Sequence, residues 1–109
     1  MEITANELKQ LVSPITWSPL LDGVEKSFGL QIAVLERGFV YVGQCSFIGD
    51  MLHITNAYCV RRWGTDRGLG QLAREGKQTN TILDRVGHVI AERRNLIHMI
   101  ECESSKWTF

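Results

Sequence analysis

A small, mainly β, antiparallel barrel-like domain with one leading helix and one short inserted helix is what this chain of 109 residues predicts. Three observations carry that prediction. From Leu30 onward the apolar residues recur every second position in runs rich in β-branched and aromatic side chains, the pattern of half-buried strands. The turn pairs Arg37-Gly38 and Gly49-Asp50 separate those runs, and connections that short join only antiparallel neighbours. Helix-type spacing is confined to the start of the chain and to a stretch near residue 70. With 44% hydrophobic residues the chain supplies one modest core, so a single domain is expected: helix and connector over 1–29, barrel over 30–102, tail over 103–109.

The elements follow in order. Ile3-Thr4-Ala5-Asn6-Glu7-Leu8 combines a Thr4/Glu7 capping box with an Ile3–Leu8 staple, so a helix is expected to begin at Ala5, bury Leu8, Leu11 and Val12, and stop before Pro14. The stretch Ser18 to Gly29, "SPLLDGVEKSFG", reads as a connector. The alternative is a Pro-started helix burying Leu20, Leu21, Val24 and Phe28, which Gly23 weakens. The runs "LQIAVLE", "FVYVGQCSF", "MLHIT" and "AYCVRRW" form a meander. A helix "LGQLARE" comes next, with Leu69, Leu72 and Ala73 on one face, Thr65 or Asp66 as its cap and Gly76 as its stop. "NTILD", "HVIAE" and "NLIHMIEC" return to β. Trp107 and Phe109 end an otherwise polar tail and are expected to dock on a second subunit, making the protein a homo-oligomer.

Charge is balanced overall but not evenly spread. Between Arg61 and Arg94 there are eight Lys/Arg against four Asp/Glu, leaving four against eight elsewhere. The start "MEITANELKQ" lacks a basic signal-type region, and no apolar run reaches membrane-spanning length, so a cytoplasmic protein without a membrane partner is expected. Cys45, Cys59 and Cys102 are odd in number and set among apolar residues, as buried reduced thiols are. His53, His88 and His98 show no local ligand spacing, so neither a metal nor another cofactor is expected.

Two resemblances add to this reading. "LERGFVYVGQCSFIGDMLHITNA" resembles the first Sm-like motif and "ERRNLIHMIEC" the shorter second one, together about half of the chain. The resemblance implies a small Sm/SH3-like barrel in a ring that binds RNA, with His53 and the pair Arg94-Asn95 as the residues in position to do so. The asparagine usual in the first loop is absent, and the insertion from Arg61 to Gly76 separates the motifs. The second pattern is Asn56-Ala57, Val60, Trp63, Leu69 to Gly76 and Ile97 to Cys102. It is similar to small uncharacterised proteins of tailed phages and prophages, which implies a phage accessory protein in a bacterial host cell. That class includes proteins that sequester nucleotide immune signals.

The stretch "RRWGTDRGLG" carries the chemistry. Arginine forks match phosphate oxygens, an aromatic face stacks on a base, and glycines let backbone amides approach an anion. A helix beginning near Gly68 adds its positive dipole end. No P-loop or dinucleotide fingerprint is present. The competing reading is structural: Arg61 or Arg62 paired with Asp66 or Asp84, Trp63 as packing, and the glycines as turn and helix entry. There is no carboxylate pair on a clear cleft, no histidine with a recognisable orienting partner and no nucleophile motif, so catalysis is not expected. The expectation is non-catalytic binding of a small nucleotide or cyclic nucleotide. Arg61, Arg62 and Arg67 would hold phosphates, Tyr58 or Trp63 would stack on a base, Asn56 would read a polar edge, and Thr65 would line the site. An RNA strand on an Sm-like protein, and docking on a host protein, are the alternatives.

Overall fold

A computed structural model of the chain describes residues 25–109. The helix expected at Ala5 and most of the connector lie outside those residues. Strands β1 (Glu25–Leu35), β2 (Val40–Ile48) and β3 (Met51–Arg62) are followed by helix α1 (Gly68–Glu75) and strands β4 (Ile82–Glu92) and β5 (Leu96–Glu101). All five strands pair antiparallel in one open sheet, ordered β4-β3-β2-β1-β5. The expected meander and its two turns are present. β4 and β5 are consecutive in the chain, linked by the 3-10 turn Arg93–Asn95, yet they form opposite edges of the sheet.

Three boundaries differ from the sequence expectation. β1 begins at Glu25, so the Glu25–Phe28 part of the alternative connector helix is strand: Lys26 sits opposite Phe47 and Ser27 opposite Ser46, because β2 is long enough to pair with it. "MLHIT" and "AYCVRRW" are one strand, β3, which crosses Asn56 through a bulge with φ 51°. "NTILD" and "HVIAE" likewise merge into β4. A bulge lets a strand absorb an extra residue and keep its ladder, so a local break in alternation need not end the strand.

Both faces of the sheet are buried. One face gathers Ala33 and Leu35 (β1), Cys45 (β2), Leu52 and Ile54 (β3), with Val89 and Ala91 of β4 and Leu96 and Met99 of β5 packed against them. The other face carries Ile32, Val42 and Val60 under Leu69, Leu72 and Ala73 of α1 and under Trp107 of the tail. Burial on both sides explains why β1 reads Ile32-Ala33-Val34-Leu35 without polar alternation. Each fully buried aliphatic side chain, such as Ile32, Leu52 or Leu72, contributes about 1.5–3 kcal/mol. α1 stops where expected: the Gly76 N–H bonds the Leu72 carbonyl, and the tail passes over Gly76 at Lys106.

Trp107 packs the tail onto its own chain, while Phe109 stays 59% exposed. Trp107 is 7% exposed, and its Nε1 donates to the Ala73 carbonyl at 3.1 Å. Phe109 stacks on Tyr58 with ring centroids 4.6 Å apart and an interplanar angle of 9°. The expectation that Trp107 docks on a second subunit is therefore corrected; α1 is the surface it covers.

Burial also acts on two thiols. It pushes Cys45 from 9.0 up to about 11 and, helped by the nearby Cys45 charge, Cys102 up to about 12. A raised acid pKa stabilises the fold fully below the unfolded value, and the contribution is lost as pH rises toward the folded value. Urea stability should hold up to about pH 9 and then fall through pH 11, by up to about 1.4 kcal/mol per pH unit per thiol. Denaturation curves at pH 8 and pH 10 check this. Cys45→Ala should narrow the difference between them and leave the share that buried Cys102 carries.

Candidate ligand-binding segment

The end of β3 and the loop into α1 hold most of the residues singled out by sequence. Arg61 donates from Nε to Asp84 Oδ2 at 2.7 Å and from Nη2 to Oδ1 at 3.4 Å, a two-point pair across β3 and β4. Both side chains face solvent, so the pair fixes geometry more than it adds stability. Arg62 is exposed and sits opposite Ile82, one residue past a further irregularity in the β3–β4 ladder. Among the described residues no ion pair to Arg62 or Arg67 is present.

The backbone of this segment is tied at several points. Thr81 Oγ1 donates to the Trp63 carbonyl at 2.7 Å. Gly64 lies against the backbone of Asn80 and Thr81. Thr65 Oγ1 donates to the Gly68 carbonyl at 2.8 Å, and the Arg67 N–H donates to Gln71 Oε1 at 2.8 Å. The cap expected at Thr65 or Asp66 is corrected: Arg67 is the N-cap residue, and no side chain caps from it. Gln71 reaches back from the first turn to satisfy the amide that a capping side chain leaves open. The Trp63 side chain remains 43% exposed, and Arg62, Asp66 and Arg67 are exposed with it.

Two of the expected residues stand apart. Tyr58 has one ring face covered by Phe109. Asn56 forms the β3 bulge, six residues from Arg62, a span of about 20 Å along a strand.

The residues placed by the Sm-like resemblance also separate. Arg94 pairs with Glu92 at 2.6 Å and lines a cavity of about 460 Å³ with Asp50, Met51 and Arg93. Asn95 lies in another cavity of about 410 Å³ with Phe39, Tyr41 and Ile90. His53 lies within β3, where its Nδ1 is 3.0 Å from His88 Nε2.

Sequence reasoning missed Arg93 and Phe47. The Arg93 guanidinium lies 3.9 Å above the Phe47 ring, and the Arg93 N–H donates to the Asp50 carbonyl at 2.8 Å, joining the β2–β3 turn to the β4–β5 turn. The sequence signal was only an aromatic before the Gly49-Asp50 turn and an arginine pair after β4; their meeting depends on sheet register.

No family model matches the chain, and no curated protein matches it. Among the described residues no helix is long and apolar enough to cross a membrane.

Proposed function

We propose that the protein binds a small phosphate-bearing ligand, a nucleotide or cyclic nucleotide, without turning it over, through Arg62, Trp63 and Arg67. The observation that carries this reading is the contrast between a backbone pinned by Thr81, Gly64, Thr65 and Gln71 and three exposed side chains projecting from it. A fixed backbone spares much of the ordering cost of binding, and arginine forks with an indole face suit a phosphate and a base. Trp63 takes the stacking role, since Tyr58 already stacks on Phe109. Arg61 stays with Asp84 and assists only at longer range. Thr65 orders the loop, and Asn56 contributes from a distance only if a second subunit brings its bulge to the ligand.

We read the sheet as a small Sm/SH3-like barrel, because both edge strands contribute to one apolar cluster and only three residues link them. The exposed apolar side chains Phe39, Ile90 and Ile97 support a homo-oligomer. The likeness to tailed-phage proteins supports a setting in the bacterial host cytoplasm, where the ligand would be a sequestered immune signal. An RNA strand is the second reading, and Arg93 over Phe47 beside the Gly49-Asp50 turn favours it.

Titration of cyclic dinucleotides, mononucleotides and short RNAs separates the two. For the nucleotide reading, Arg62→Ala should weaken binding about ten- to a hundredfold, and Arg62→Lys should recover only part of it. For the RNA reading, Arg93→Ala should be the damaging change, with steep salt dependence and a preference for longer strands. Equal binding by wild type and Arg62→Ala would remove the proposal.

A further inference from the structure

His53 and His88 are 35 residues apart in sequence and carry no chelating spacing. Cross-strand pairing brings them together. His53 on β3 is opposite Ile90 on β4, which places His88 diagonally beside it. The two nitrogens that face each other are His53 Nδ1 and His88 Nε2, 3.0 Å apart, with ring centroids 5.1 Å apart and planes tilted by 54°. His88 is exposed and His53 half-buried, so the gap between them is open to solvent.

In the absence of another partner, one neutral ring donates a proton to the other across this gap. A cation can take the proton's place once the donating ring adopts its other tautomer, which carries that proton on the ring's far nitrogen and leaves one lone pair on each facing nitrogen. Zinc–imidazole bonds of about 2.0–2.1 Å at cis or tetrahedral angles put two ligand nitrogens about 3.0–3.4 Å apart, so chelation needs a shift of a few tenths of an ångström. Strands β3 and β4 hold the two rings at this spacing through their shared ladder, without any loop having to order.

We infer that His53 and His88 form a two-histidine chelating site for a borderline first-row divalent cation, Zn²⁺, Ni²⁺ or Cu²⁺. Among the described residues no group of three or more His, Cys, Asp or Glu side chains comes together, so the pair supplies two ligands and the other positions on the ion belong to water or to an added donor. Imidazole nitrogens select these ions over Mg²⁺ and Ca²⁺, and Cu²⁺ should bind most tightly of the three. The site lies on β3 and β4 away from Arg62 and Arg67 and does not depend on the nucleotide reading.

Calorimetric titration of the full chain with ZnCl₂, NiCl₂, CuCl₂ and MgCl₂ tests it, with the histidine side-chain nitrogens followed by NMR. The expected result is one transition-metal ion per chain, no response to Mg²⁺, and shifts at His53 Nδ1 and His88 Nε2. Affinity should drop about tenfold or more in both His53→Ala and His88→Ala. His53→Gln and His88→Gln keep a polar side chain on each strand and should lose binding equally. His98→Ala, on the opposite edge strand, should retain it. No transition-metal binding, binding that survives loss of either histidine, or binding abolished by His98→Ala would show that the pair only shares a proton.

Discussion

Trp107→Ala is expected to destabilise the domain by about 3–5 kcal/mol, the range for removing a buried aromatic side chain and leaving its cavity unfilled. The ring packs into the cluster formed by Val42, Val60, Leu69 and Leu72, covering a face of the sheet that water would otherwise reach. Its hydrogen bond is the lesser part. The Ala73 carbonyl also accepts the Glu103 N–H at 2.9 Å, so losing the indole does not leave it unpaired. Trp107→Phe should therefore recover most of the loss. The urea midpoint of Trp107→Ala, relative to wild type, should fall by the same amount at low and high protein concentration. A concentration-dependent loss would mean that the tail acts across subunits after all.

Gly64→Ala should cost about 3 kcal/mol or more and should also disturb the segment from Trp63 to Arg67. Two effects combine there. With φ at 70°, a Cβ carries a backbone penalty of about 1–2 kcal/mol, and the added methyl meets the Asn80 and Thr81 backbone, which can move only by shifting the chain into β4. Forcing a group into a filled space adds about 1–3 kcal/mol. Gly68 provides the control. Its φ is 80°, but an added Cβ would meet no atom within 4 Å, so Gly68→Ala should show the backbone penalty alone. Thermal denaturation of the two variants side by side measures the difference. If they match, the Gly64 contact with residues 80 and 81 contributes nothing.

Local signals carried much of the fold. The turns at Arg37-Gly38 and Gly49-Asp50, and the helix ending at Gly76, depend on neighbouring residues alone, and each is where the sequence places it. Asn56 shows the limit of that reasoning. Alternation does fail there, but a break in alternation looks the same whether a strand ends or bulges, and only pairing with β4 decides between them. The site divides in the same way. The grouping of Arg62, Trp63 and Arg67 follows from adjacency along the chain. The partner of Arg61 was one of two acids until register selected Asp84. Phe109 on Tyr58, Arg93 on Phe47 and His88 beside His53 join distant segments, and no spacing in the sequence encodes them.

The bulge at Asn56 has a mechanical consequence. Leu52, Ile54 and Ala57 belong to one buried cluster, and Tyr58 and Val60 pack in the other, so a single strand passes from one core into the other within a few residues. β3 works as a shaft common to both. To open the layer under α1, the chain must loosen the backbone that also holds the opposite layer, so neither core is a separable module. The domain should behave as one cooperative unit despite having two apolar layers. A ligand held beyond Val60 at the end of this shaft would then draw on the rigidity of the whole sheet rather than on that of the loop alone.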